Sequence, residues 1–268
     1  MWLDMAGVQA RPLPVGADML PCPDRARALI GPRTRAIVLV SPNNPAGLCY
    51  PAPLLQAFFD LARAHGLRLI LDETYRDYHS APDPVHGLLG NPDWQATLVQ
   101  LYSFSKAYRL SGHRIGAIVA DAALMPEVEK FIDTVTICPS GLGQRAALFG
   151  LTGMQGWLAR ERAAVLGRAQ NVAEAAQTLA PLGWQVHGLG GYFAWLSHPY
   201  DAPSDRVARD LLAHTAILAL PGSMFVPQGD PAGARGLRLA FANVDDAGIA
   251  ELFRRLAALP LALPRSGA

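Results

Sequence analysis

The sequence predicts an α/β fold: a mostly parallel sheet covered by helices, followed by a smaller α+β domain at the C-terminal end. Three observations carry this. Short continuous apolar runs at 36–40, 67–71, 98–102 and 115–120 are separated by segments long enough for helical crossovers. The runs end in turn-forming or polar residues, as in Ser41-Pro42-Asn43-Asn44-Pro45-Ala46-Gly47. After a long amphipathic stretch at 157–182 the texture changes to other strands and helices, which divides the chain into one domain of residues 1–160 and a second of residues 161–268.

Taken in order, residues 8–15 alternate apolar and polar and include Pro12 and Pro14, which suits an edge strand or an extended lead-in. A short arginine-rich helix within 21–34 stops at Gly31-Pro32. The run 36–40 reads as a strand buried on both faces. Residues 53–65 carry Leu54, Phe58, Leu61 and Ala62 at helical spacing and stop at Gly66. Strand 67–71 ends in Asp72-Glu73-Thr74-Tyr75, strand 98–102 leads into Ser103-Phe104-Ser105-Lys106, and 115–120 returns as a fourth strand. Helices at 127–137 and 142–151 precede the one at 157–182, which is long enough to bridge domains. The second domain then reads as strand 192–196, helix 204–214, strand 217–220, the turn Pro221-Gly222-Ser223, strand 237–242 and a closing helix at 245–259, capped by Asp245 or Asn243. Residues 261–268 read as a frayed tail.

Composition narrows the function. The 23 basic and 22 acidic residues are scattered and leave a formal charge of +1, which argues against a nucleic-acid or anionic-membrane partner. Cys22, Cys49 and Cys138 are odd in number, far apart and without zinc-ligand spacing, so they read as free thiols, with no metal site. No basic leader or long apolar run is present, and a cytoplasmic protein is expected. His65, His79, His86 and His187 read as surface or loop residues, and neither nucleotide-binding glycine motif occurs.

The chemistry centres on Lys106. It stands among small hydroxyl residues straight after a strand, where α/β folds place their ligands, with Arg114 eight residues further on. A free lysine has a pKa of about 10.4 and is unreactive at neutral pH, so a catalytic one must be desolvated, crowded by cations or held as a Schiff base. By itself, a lysine near a strand end is most often a solvated surface group. In a parallel sheet, however, the C-terminal strand edges lie together, so Asn44, Asp72, Tyr75 and Lys106 can share one crevice.

Four motifs in register, Ser-Pro-Asn-Asn44-Pro-Ala-Gly, Leu-Asp72-Glu-Thr-Tyr75, Ser103-Phe-Ser105-Lys106 and Arg114, resemble the class I/II aminotransferases of PLP-dependent fold type I. Gly190-Gly191-Tyr192-Phe193-Ala-Trp195, Pro221-Gly222-Ser223-Met-Phe225 and Leu237-Arg238-Leu-Ala-Phe-Ala extend the likeness over essentially the whole chain. The resemblance implies pyridoxal 5'-phosphate as cofactor and amino-group transfer between an amino acid and a 2-oxo acid, in a homodimer. It implies that Lys106 holds the cofactor as an internal aldimine and then moves the Cα proton as a general base. Asp72 would keep the pyridine nitrogen protonated, and Tyr75 and Asn44 would donate to the ring's phenolate oxygen. Ser103, Ser105 and Arg114 would hold the phosphate, and Arg238 would clamp the substrate α-carboxylate. Singly, each has an ordinary reading as a cap, turn former, core edge or surface ion pair; jointly, in family order, the functional one prevails.

The chain also departs from that family. The N-terminal arm, the Gly-containing phosphate loop with its helix, and the aromatic residue that stacks on the ring all precede the point matching Met1, and none occurs here. The resemblance therefore implies a large domain incomplete at its N-terminus, with a strand missing between retained ones and two buried edges left unpaired. Met1-Trp-Leu-Asp-Met-Ala-Gly reads like the middle of a helix, as a misplaced start or a gene fragment would. Weak cofactor binding and poor solubility are expected. The alternatives are an inactive fragment, a C–S lyase on the same scaffold, or a non-catalytic effector-binding module.

Overall fold

The structure, a computed structural model, describes residues 2–80 and 84–258. The chain opens with a helical turn, α1 (Trp2–Met5), and a short helix, α2 (Pro23–Leu29), whose first position is proline, where the missing N–H costs nothing. The first sheet then forms from β1 (Ala36–Val40), β2 (Arg68–Asp72), β3 (Leu98–Ser103) and β4 (Gly116–Val119). Between them lie α3 (Ala52–Ala64), α4 (Trp94–Thr97) and α5 (Phe104–Ala107). β1, β2 and β3 pair in parallel and β4 pairs antiparallel to β3.

The amphipathic α3 positions this sheet. It buries Leu55, Phe58, Phe59, Leu61 and Ala62 against Leu39, Leu69, Leu71 and Leu98. Each such apolar side chain removed from water contributes roughly 1.5–3 kcal/mol. Gly66, at φ +62°, lets the chain reverse into β2.

Three helices follow: α6 (Met125–Val135), α7 (Gly141–Gly153) and the long α8 (Gln155–Ala176). The second sheet contains β5 (Gln185–Gly190), β6 (Phe193–Ser197), β7 (Leu220–Pro221) and β8 (Gly236–Ala240), in the order β5-β6-β8-β7, all antiparallel. Helices α9 (Ser204–Thr215) and α10 (Asp246–Ala257) cover it together with α8. Its core joins Val165, Val172, Val207, Leu211, Phe253 and Leu256 to the strand residues, and extends to Tyr78 and Ala107 from the first sheet's loops. The two sheets thus share continuous packing.

Several sequence expectations need correction. Of the two readings of residues 8–15, an edge strand or an extended lead-in, the edge strand does not form; Val15 makes only an isolated bridge to Pro21, because no neighbouring strand among the described residues offers them a ladder. β1 is not buried on both faces, since it lies at an edge of the sheet and Val38 is 59% exposed. The four strands are hydrogen-bonded neighbours in the unbroken order β1-β2-β3-β4, so no gap interrupts the sheet, and its open sides lie outside β1 and β4. The strand expected at 217–220 shrinks to Leu220–Pro221. β5 was not anticipated, because Gly188 in its interior, Gly190 at its end and three exposed residues at its start hide the strand pattern. His79 and His86 are buried rather than superficial. Asp245, not Asn243, caps α10 by accepting from the Gly248 N–H at 2.8 Å. The tail at 261–268 lies outside the described residues.

His86 has a defined task. Its Nδ1 accepts from the Leu88 N–H at 3.3 Å, which leaves the proton on Nε2, 3.2 Å from the buried carboxylate of Glu73. Gln100 Nε2 also donates to Glu73, and Arg76 Nη1 lies 3.7 Å away. Burial by itself raises the Glu73 pKa, but the hydrogen bonds from His86 and Gln100 and the charge on Arg76 outweigh it and hold the carboxyl below its ordinary value. A group whose folded pKa is depressed stabilises above its unfolded pKa and loses that contribution as pH falls through the folded one. Melting curves followed by circular dichroism should therefore show Tm dropping as pH falls below the ordinary glutamate range. Glu73→Gln should lower Tm at neutral pH and flatten that acid slope.

One face is left uncovered. No residue of α6 is buried, all of β4 is exposed, and the large apolar side chains of Phe131, Ile137, Leu142, Leu148 and Phe149 are exposed on α6, α7 and the segment between them. So large an exposed apolar face favours association and dye binding. The chain is expected to bind an apolar fluorescent dye while folded and to sediment in a concentration-dependent way. Phe131→Glu with Phe149→Glu should reduce both.

Candidate active site

Parallel pairing of β1, β2 and β3 brings three strand ends to one edge. After β1, the chain turns through residues 41–47. Asn43 shapes that turn: its Oδ1 accepts from the Ala46 N–H at 3.0 Å and its Nδ2 donates to the Tyr50 hydroxyl at 3.0 Å. β2 ends at Asp72, half-buried, whose Oδ1 accepts from both the N–H and the hydroxyl of Thr74, at 2.9 and 2.7 Å. Both bonds fall on the same carboxylate oxygen.

β3 ends at Ser103, which caps α5: its Oγ accepts from the Ser105 N–H at 3.3 Å. Lys106 sits in this single helical turn, half-buried, with Nζ 5.8 Å from the centre of the Tyr75 ring. The hydroxyls of Tyr78 and Tyr192 approach the Lys106 carbonyl at 3.4 and 3.5 Å, so residues from both sheets border the lysine's turn. Arg114 caps the 3-10 turn Ser111–His113 in a left-handed conformation, exposed, and donates to the Ser111 carbonyl. The β3–β4 register brings it near Ser103, because Gly116, two residues on, pairs with Ser103.

Tyr75 is buried between Tyr192 and Phe193, with ring centres 5.5 and 5.2 Å away. Burial pushes its pKa up to about 12, opposed by Arg238 and helped by Asp72, so at neutral pH the hydroxyl is a hydrogen-bond donor.

Arg238 arrives from the second sheet, on β8. Its Nη1 donates to Asn44 Oδ1 at 2.7 Å. Its guanidinium carbon lies 4.4 Å from the centre of Phe193 and 4.9 Å from that of Phe225, a cation–π sandwich. Burial lowers its pKa from the ordinary value, with Tyr75 acting in the opposite direction. Nε is buried and has no hydrogen-bond partner. A guanidinium only donates, so the bond to Arg238 commits Asn44 Oδ1 and leaves its Nδ2 as a donor facing away.

The structure thus brings Asn44, Tyr75 and Arg238 into one connected group, with Lys106 against Tyr75 and Asp72 on the neighbouring strand end. Ser103 and Ser105 lie in the turn that carries the lysine, and Arg114 stands outside, exposed. Phe193 and Phe225 belong to motifs visible in the sequence, but their place on either side of Arg238 depends on the β6–β8 pairing and on the turn after β7.

This donor set fits pyridoxal phosphate. It combines a primary amine, a carboxylate for a protonated ring nitrogen, two neutral donors for a phenolate, and hydroxyls with a guanidinium for a phosphate. The unpartnered Arg238 Nε fits a further carboxylate.

Comparisons with known proteins agree. The family described as aminotransferase class I and II matches residues 12–256. A probable aspartate/prephenate aminotransferase of Thermus aquaticus is 28% identical over 231 residues, covering 85% of this chain and 57% of that protein. The aromatic amino acid aminotransferase of Rhodococcus jostii is 32% identical over 247 residues, 91% of this chain and 65% of that protein. A single mutant of Thermus thermophilus aspartate aminotransferase superposes with a TM-score of 0.83 at 25% identity, over 95% of this chain and 65% of that one. The chain spans between about half and two thirds of the length of these relatives. With most of its length matched in order and its fold shared, the chain belongs to the class I and II aminotransferase family.

Proposed function

We propose that this chain carries the catalytic lysine domain of a pyridoxal-phosphate-dependent aminotransferase, moving an amino group between an amino acid and a 2-oxo acid. The observation that carries this is the meeting of Asn44, Tyr75 and Arg238 beside Lys106, with Arg238 Nε buried and unpartnered. When bound, pyridoxal phosphate supplies an aldehyde that captures amines and a pyridine ring that withdraws electrons from the substrate Cα.

The chain's own residues do the rest. Lys106 Nζ would hold the cofactor's aldehyde and, when free, would be the base that takes the proton from the substrate Cα and the group that returns it. Asp72, held by Thr74, would sit against a ring nitrogen and keep a proton there. Tyr75, protonated at neutral pH, donates through its hydroxyl, and Asn44 donates through Nδ2. Ser103, Ser105 and Arg114 bind the phosphate. Arg238 orients the α-carboxylate, its charge strengthened by two aromatic faces that exclude water.

We place the boundary between the two domains near residue 160, within α8. The start of α8 packs on the lysine loop, through Tyr108 stacked on Trp157 and the ion pair of Arg109 with Glu161 at 2.6 Å; its later turns pack on α10 and β5. A homodimer and a cytoplasmic location complete the proposal. No described helix is long and apolar enough to cross a membrane, and the three cysteines are free thiols.

Borohydride reduction in the presence of pyridoxal phosphate should leave one stable label, on Lys106, and Lys106→Ala should abolish it; a label elsewhere, or none, overturns the proposal. Arg238→Gln should weaken α-carboxylate binding about tenfold to a hundredfold, the worth of a hydrogen bond to a charged group, with labelling unchanged. Product analysis with an amino acid and a 2-oxo acid should show a new amino acid and a new 2-oxo acid, whereas a released thiol would indicate elimination instead.

A further inference from the structure

We infer that Gly188 of β5 is a positioning residue that sets where the turn 41–47 presents Asn44 to Arg238; its consequence for substrate affinity rests on the function proposed above. Gly188, Trp195 and Arg238 lie in one row across the second sheet, Gly188 opposite Trp195 and Trp195 opposite Arg238. The turn touches that row at two points. At one, Arg238 Nη1 bonds Asn44 Oδ1 at 2.7 Å. At the other, the backbone of Ala46 lies directly on Gly188: a Cβ at position 188 would stand 2.4 Å from the Ala46 carbonyl oxygen and 3.2 Å from its Cβ.

A neighbouring contact reinforces the fit. A Cβ on Gly190 would meet the Gly47 carbonyl oxygen at 2.7 Å, and one on Gly47 would meet the carbonyl oxygens of Phe193 and Gly190 at 2.4 and 2.5 Å. The obstructing atoms are mostly backbone and cannot swing aside as the end of a side chain could. The register of β5 shifts between Val186 and Gly188, and this irregularity decides that a glycine, rather than a residue with a side chain, stands opposite Trp195 and under Ala46. An alanine at 188 would force the Ala46 carbonyl back by about 1 Å to reach ordinary contact. Asn44, two residues earlier on the same short turn, moves with it, and a hydrogen bond lengthened by that much is lost.

Gly188→Ala in the full chain tests this, with Gly167→Ala as control, since position 167 faces open space on α8. Nitrogen-15 NMR of the Arg238 guanidinium and the Asn44 side-chain amide needs no cofactor. Both signals should report the broken bond in Gly188→Ala and stay unchanged in Gly167→Ala. Affinity for 3-phenylpropionate, a simple monocarboxylate probe, should fall about tenfold. In an Asn44→Ala background, Gly188→Ala should add nothing.

Unchanged Asn44 and Arg238 signals in folded Gly188→Ala overturn the inference. So does a loss of affinity that persists undiminished in the Asn44→Ala background. If Gly188→Ala does not fold, Ala46→Gly loosens the same turn without adding bulk; it should weaken the same two signals, and unchanged signals again overturn the inference. Altered signals in a chain whose parent binds no carboxylate would leave the positioning role standing and sink the proposed function instead.

Discussion

A guanidinium held between two aromatic rings and bonded to an amide 194 residues away in sequence is the constraint around which the two halves of this protein are arranged. Taking that charge out of water is costly unless its donors find acceptors, and Asn44 supplies one on the opposite sheet. To place Asn44 there, the turn after β1 must lie against the β5–β6 hairpin with almost no space between the backbones. The glycines at 47, 188 and 190 allow that approach. One buried donor of the same guanidinium, Arg238 Nε, has no hydrogen-bond partner.

The first sheet contributes direction rather than contact. Because β1, β2 and β3 run the same way, the turn at 41–47, the carboxylate of Asp72 and the helical turn bearing Lys106 all emerge at one edge. A short helix capped by Ser103 then carries the lysine back over Tyr75. Tyr78 and Tyr192, with ring centres 4.7 Å apart, both reach the lysine's carbonyl, and Arg162 of α8 donates to the Asp77 carbonyl at 2.7 Å, so the long helix borders the same region. Away from the site, the apolar surface of α6, α7 and β4 stands open. The packing that gives the site its shape therefore comes chiefly from the junction of the two sheets.

Most of the strands of the first sheet and most of the helices were legible because apolar runs and helical spacing are local signals. Leu55, Phe58 and Phe59 report a buried helix face wherever it docks. The failures share a cause. β1 reads as central because Ile37, Val38 and Leu39 are all apolar, yet whether a strand is central depends on its neighbours, and Val38 faces outward. Residues 8–15 carry strand-like alternation but lack a ladder to join. His86 looks like a loop residue until Glu73, itself bonded by Gln100, is seen to pair with it. β5 hides behind the very glycines that its packing requires.

The family motifs, read in order, were enough to name Asn44, Asp72, Tyr75, Ser103, Ser105, Lys106, Arg114 and Arg238 as candidates for one chemical set, and an amine, a carboxylate, neutral donors and guanidinium groups have fixed capacities whatever surrounds them. What those residues touch was settled only by folding. The direction of the Asn44 amide, the aromatic faces on Arg238, the donor state of Tyr75 and the exposed stance of Arg114 each arise from contacts between segments far apart in the chain. Chemical capacity belongs to a side chain alone, whereas distance, desolvation and orientation belong to pairs of side chains, and pairs exist only once the two sheets have met.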